Sequence, residues 1–163
     1  MTAERKHRAR LALFGGMTLA VMILIFWFSA QNGASSRAMN EGFLKTLLGT
    51  LAERFLPRLS GKGIDWDIRK YAHMGEYFCL GLSAFLFFSE LTRWRGKGRA
   101  ALLALAWSFL YACSDEVHQL FVPGRAGRLR DVFVDGAGFG AGILLAVLLR
   151  WSMEYRQSRK MRT

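Results

Sequence analysis

From Leu11 to Ala30 the chain runs for about 20 residues without one charged side chain. At 1.5 Å per residue that is enough to cross a ~30 Å hydrocarbon core. Inside a bilayer every backbone N–H and C=O needs an internal partner, so a lone run of this kind is a helix. A signal peptide is the rival reading, and the basic lead-in Arg5, Lys6, Arg8 and Arg10 suits both. The core is long for a signal, however, and Phe28 spoils the small-x-small pattern that cleavage after Ala30 would need. An uncleaved span is therefore expected.

Three further apolar runs follow. The second covers about 71–91 and is broken only by His73 and Glu76 near its start and Glu90 at its end. The third covers about 100–119; its apolar part ends at Cys113, and the polar stretch from Ser114 to Gln119 completes the span. The fourth, about 132–149, carries Asp135 and the ladder Gly136, Gly138, Gly140, Gly142. Two overlapping G-x-x-x-G spacings let helices approach closely, and packing within the bundle is the expected use rather than a dedicated dimer interface. Cys79 and Cys113 lie inside apolar runs with no partner at a metal-ligand spacing, so both are read as small core residues. The fold class is thus all-α, a polytopic membrane protein with about four transmembrane helices in a single domain over 1–163.

The formal charge of +11 alongside 52 % apolar residues narrows the function classes. Basic residues fall in short clusters between apolar runs rather than along one folded face, which argues against nucleic acid. The membrane explains them, because cytoplasmic loops retain Lys and Arg. The N-terminus, the turn with Arg93, Arg95, Lys97 and Arg99, and the tail with Arg150, Arg156, Arg159, Lys160 and Arg162 are the strongly basic segments. The other two connections balance their bases with Glu41, Glu53, Asp65, Asp67, Asp115, Glu116 and Asp131. Both termini are therefore expected on the cytoplasmic side of the membrane. In the first of those connections Phe43, Leu44, Leu47, Leu48, Leu51 and Phe55 recur at helical spacing, which predicts an extracytoplasmic amphipathic helix over about 40–56. Pro57 and the stretch Ser60-Gly61-Lys62-Gly63 end it.

Ionisable groups inside a membrane are expensive, so each is a functional candidate with a partner to be found. Lys70, His73, Glu76 and Tyr77 share one stripe at the start of the second helix. Asp115, Glu116, His118 and Gln119 end the third, Pro123, Gly124 and Arg125 follow in a loop, and Asp131 and Asp135 lie one turn apart in the fourth. In the expected topology all of them meet at one rim, with Glu76 only about 6 Å beyond Ala72 along the helix axis, near headgroup depth. Acids gathered this closely cannot all carry charge cheaply, so a proton donor and an acceptor can coexist there, as acid–base work requires. His73, Glu76, Asp115, Glu116 and Asp131 are the candidates for catalysis. Lys70, Tyr77, Gln119, Arg125 and Asp135 are the candidates for ligand binding, Arg125 by clamping a phosphate or carboxylate bidentately. Adjacent in sequence, Asp115 and Glu116 point about 100° apart on a helix, so one is expected to be paired and the other solvated. His73, Glu76 and a loop acid are metal-ligand types, but in this order they match no strong metal signature, and no metal site is assigned. The cofactor is unknown, since no phosphate-cradling Gly loop, nucleophile triad or redox site is visible.

These residues carry a family resemblance. The block R-K-Y-A-H-M-G-E-Y from Arg69 to Tyr77, then D-E-V-H-Q-L-F-V-P-G-R from Asp115 to Arg125, then R-D-V-F-V-D-G-A-G from Arg130 to Gly138, resemble the VanZ-like family of small bacterial membrane proteins in order and spacing. The stretch F-S-A-Q from Phe28 to Gln31 is similar to the family's end of the first helix. Carried over by position, the resemblance picks out Lys70, His73, Glu76, Tyr77, Asp115, Glu116, Gln119, Pro123, Arg125, Asp131 and Gly138. Asp135 departs from members with Asn there. The family name implies a link to glycopeptide resistance, teicoplanin in particular, and no defined reaction. Two functions follow. One is an envelope protein that engages, with or without catalysis, an anionic membrane lipid or lipid-linked wall precursor at the outer leaflet. The other is a non-enzymatic scaffold or binding protein whose polar cluster is structural, with a membrane-protein partner or a second copy of itself. Four helices without inverted repeats or a midplane charge give little basis for a transporter.

Overall fold

The computed structural model describes residues 2–31, 64–93, 96–125 and 127–160, with backbone alone for 64–71, 97 and 160. The expected amphipathic helix over 40–56 and the Lys70 side chain lie outside the described residues. Four helices follow in order: α1 Ala3–Ser29, α2 Ile64–Leu91, α3 Lys97–Gln119 and α4 Leu129–Lys160. Each contains a stretch long and apolar enough to cross a membrane, so the chain is a multi-pass all-α membrane protein. The helices outrun the apolar segments that announce them. At about 48 Å, α4 exceeds the hydrocarbon thickness, and its basic last turns continue the helix beyond the apolar part.

Many large apolar side chains face outward, as expected where the solvent is lipid, and α3 turns small residues inward. Leu19, Ile23, Leu102, Leu110 and Leu148 are exposed, whereas the inner face of α3 is built from Ala100, Ala104, Ser108 and Ala112 at four-residue steps. α2 is the central helix and packs against each of the other three. It contributes Tyr77, Leu80, Ala84 and Phe85 to the core, which Phe139, Ile143 and Ala146 of α4 and Ile25 of α1 complete. Cys79 is exposed, which corrects its core reading, whereas Cys113 is half-buried and packs against the core. The helical period carries Cys79 off the stripe that Tyr77 and Leu80 bury.

The glycine ladder fixes the register of α2 against α4. A Cβ at Gly138 would collide with the Met74 carbonyl, one at Gly142 with the Phe78 carbonyl, and one at Gly81 with the Phe139 carbonyl. Both partners advance by four residues together, so the two helices run parallel. Nothing lies within 4 Å of a Cβ built on Gly140, and one on Gly136 meets only the ring of Phe139. Of the two overlapping spacings, only Gly138 and Gly142 serve the packing.

With four antiparallel or parallel spans in sequence, the end of α1, the start of α2, the end of α3 and the start of α4 meet at one end of the bundle. At the opposite end Glu90 is buried, and its carboxylate lies 3.1 Å from His7 Nδ1 and 3.6 Å from Arg10 Nη1. That contact ties the first turns of α1 to the last turn of α2.

Candidate functional site

The small-residue face of α3 turns polar in its last two turns, where Asp115, Glu116 and Gln119 are all buried. Asp115 Oδ2 accepts from Ser29 Oγ at 2.9 Å and from Gln119 Nε2 at 3.0 Å. The same amide reaches Ser29 Oγ and Glu116 Oε1, each at 3.4 Å. One Gln a helical turn further on thus serves both acids, so neither is the solvated residue that the 100° divergence suggests. An acid whose oxygen accepts two hydrogen bonds loses far less on burial than one left without a partner.

The loop after α3 closes the network. Val122, Pro123, Gly124 and Arg125 have the pattern of a type II turn: Pro at the second place, Gly at the third with φ 74°, and Arg125 N–H donating to Val122 O at 3.1 Å. The turn aims Arg125 at the end of α1, where Nη2 donates to Phe28 O at 2.7 Å and Nε to Gln31 O at 3.0 Å. Helix C-termini leave carbonyls without partners, and a guanidinium is well shaped to satisfy two of them. Arg125 therefore caps the end of α1 through Nη2 and Nε. Further on, a Cβ at Gly127 would strike Glu116 O, so only glycine lets the loop return this close to α3. Arg128 N–H then donates to Glu116 Oε2 at 2.7 Å.

The α2 and α4 side of the cluster is less satisfied. His73 Nδ1 lies 3.9 Å from Glu76 Oε2, an ion-pair distance too long for a hydrogen bond. Tyr77 is 0 % and Asp135 1 % exposed. Glu76 Oε2, Tyr77 OH and Asp135 Oδ2 have no hydrogen-bond partner among the described residues. Each such buried orphan costs about 1–3 kcal/mol. The three belong to one electrostatic neighbourhood: Glu76 interacts with Asp115 and Arg125, Tyr77 with Asp115, Asp135 and Glu116, and Asp135 with Glu116, Asp115, Asp131 and Glu76. Asp131 sits half-buried in the first turn of α4, where the helix dipole favours an acid. Among the described residues no group of three His, Cys, Asp or Glu side chains could hold a metal ion.

His73, Glu76, Tyr77, Asp115, Glu116, Gln119, Arg125, Asp131 and Asp135 are therefore brought to one end of the bundle. His118 turns aside and stacks on Phe26 with ring centroids 4.6 Å apart. Sequence reasoning missed Ser29, whose signal is a hydroxyl closing an apolar span, and Gly127. It also missed Tyr111, whose phenol donates to Met22 O and so ties α3 to α1 just below the cluster.

A family model described as VanZ/LLP1 matches residues 14–150, which include every residue of this cluster. No curated protein and no solved structure matches the chain. The match covers most of the chain and all four spans, and with the clustered side chains falling inside it, the chain belongs to the VanZ/LLP1 family.

Proposed function

We propose that this multi-pass protein works in the cell envelope, with the polar end of its bundle at the outer leaflet, where it engages an anionic lipid or a lipid-linked wall precursor. The observation that carries the reading is the gathering of buried acids, an amide and a tyrosine from three helices at one end, with Glu76, Tyr77 and Asp135 each holding an oxygen without a partner among the described residues. Ionisable groups are kept within a membrane span at a cost that function explains better than stability does. The basic N-terminal and C-terminal segments at the opposite end support a cytoplasmic location for both termini. Exposed Arg128 and Arg130, beside the cluster, supply the charge that a phosphate needs. Catalysis, if the ligand is modified, falls to the His73–Glu76 pair at the more open side of the cluster.

A scaffold role is favoured for part of the same cluster, because Asp115, Gln119, Ser29 and Arg125 spend their hydrogen bonds on one another and on α1. The test separates the two. Cells expressing wild type, Glu76→Gln and Arg125→Ala are compared for teicoplanin sensitivity and membrane abundance, and their envelope lipids are profiled by mass spectrometry. Engagement of a ligand predicts that Glu76→Gln loses the phenotype and changes the lipid profile at unchanged abundance. Loss of abundance in both variants, with an unchanged profile in every strain, leaves the scaffold.

A further inference from the structure

At the end of the bundle away from the polar cluster, α4 outlasts the packing that supports it. No described side chain after Ala146 is buried, yet the helix continues to Lys160. A separate peptide of this length would be marginal as a helix in water, and here the span supplies its nucleus. Arg150 and Glu154 brace the exit, with Nε 2.9 Å from Oε1 one turn further on. The outward stripe of the span runs on into this extension. Leu144, Leu148, Trp151 and Tyr155 are all exposed and follow one another at steps of four, three and four residues, so they share one face. Trp151 is 62 % and Tyr155 59 % exposed, and their rings pair with centroids 6.4 Å apart. Met153, also exposed, lies outside that stripe.

Depth and charge select what covers this face. With Leu149 at the edge of the hydrocarbon, Trp151 stands about 3 Å and Tyr155 about 9 Å beyond it along the axis. A headgroup layer is about 5–8 Å thick, so the two rings span its depth, where amphipathic aromatics settle. Exposed Arg156 and Arg159 follow within the next turn. Glu154, the acid among residues 150–160, is taken up by Arg150 and does not offset them. The first turns of α1, at the same end, add the exposed Arg5, Lys6 and Arg8. A second copy of the chain on this face would set arginines against arginines. An anionic membrane surface gives the rings a boundary between apolar and polar, and gives the guanidiniums phosphate oxygens.

We propose that Trp151, Tyr155, Arg156 and Arg159 form a binding face for anionic phospholipid in the leaflet opposite the polar cluster, with the rings at the level of the glycerol and the guanidiniums on the phosphates. The face lies at the other end of the molecule from the lipid engagement proposed above and does not depend on it. Its effect is to fix the depth at which α4 sits in the bilayer.

Trp151 is itself the reporter. The full chain is reconstituted in vesicles of phosphatidylcholine and phosphatidylglycerol, with one or the other lipid brominated on its acyl chains near the glycerol, and tryptophan quenching is measured. Subtracting the same measurement on Trp151→Phe isolates the Trp151 signal. Phosphatidylglycerol is expected to be favoured at Trp151 by about fivefold, the scale of one arginine near an anionic surface. Arg156→Ala with Arg159→Ala abolishes the preference, and because both side chains are exposed the melting temperature holds. Arg128→Ala with Arg130→Ala, at the other end, leaves the preference unchanged, so the two lipid proposals fail separately. Equal quenching of the unaltered chain by both lipids, or a preference that survives Arg156→Ala with Arg159→Ala, overturns the face. So does a Trp151 quenched by neither lipid, and a dimer in native mass spectrometry would then name a second copy as the occupant.

Discussion

Asp115 illustrates how a carboxylate is kept inside an apolar bundle. Its Oδ2 takes a hydroxyl from α1 and an amide from its own helix, so the same two bonds that stabilise the acid also join α1 to α3. Ser29→Ala removes one of them and should cost about 1 kcal/mol, read as a lower melting temperature in detergent. In a double-mutant cycle with Gln119→Leu the losses should be non-additive, because both residues act on the same oxygen. Arg125 is a sharper case. Its fork spans Phe28 O and Gln31 O, which a single ammonium cannot do, so Arg125→Lys should lose about 1–3 kcal/mol despite keeping its charge. A melting temperature equal to wild type would contradict the capping role.

At the scale of elements, the α2–α4 seam is what sets the geometry of the cluster. The spacing of its glycines advertises two possible packing pairs, and the folded protein uses one. Gly142→Ala puts a methyl against the Phe78 carbonyl and should push the helices apart at a cost of about 1–3 kcal/mol. Gly140→Ala meets nothing and should instead stabilise α4 by about 0.5–1 kcal/mol through helix propensity. Thermal unfolding of the two variants side by side checks the assignment, and a reversed order would mean that the other glycine pair carries the contact.

For the molecule as a whole, an even number of spans places both termini at one end and the polar cluster at the other. If the cluster faces outward, a cysteine at Leu129 should react with a membrane-impermeant maleimide in intact cells, and one at Ser158 only after permeabilisation, in a background lacking Cys79 and Cys113. The two ends are also held differently. At the far end the His7–Glu90–Arg10 contact tethers α1, so Glu90→Ala should speed hydrogen exchange across the first turns of α1 while leaving α3 unchanged.

Much of this was legible in the residues themselves. Runs of apolar side chains long enough to cross a bilayer leave the backbone no choice but helix, so the four spans and the all-α class followed from Leu11–Ala30 and its three successors. The polar candidates were legible for the same reason: Glu76, Asp115, Glu116 and Asp135 are conspicuous because charge inside such runs is costly. Periodicity, however, states which side chains share a stripe of one helix and says nothing of how that helix is rotated or shifted against its neighbour. Only the tertiary structure decided that Gly138 and Gly142 press on α2, that Arg125 turns back to α1, and that one amide at Gln119 serves two acids. Those choices depend on contacts between backbone carbonyls, glycines and loop geometry far apart in sequence, and they separate Asp115 and Glu116, whose hydrogen bonds join α1, α3 and the following loop, from Glu76, Tyr77 and Asp135, each with an oxygen that has no partner among the described residues.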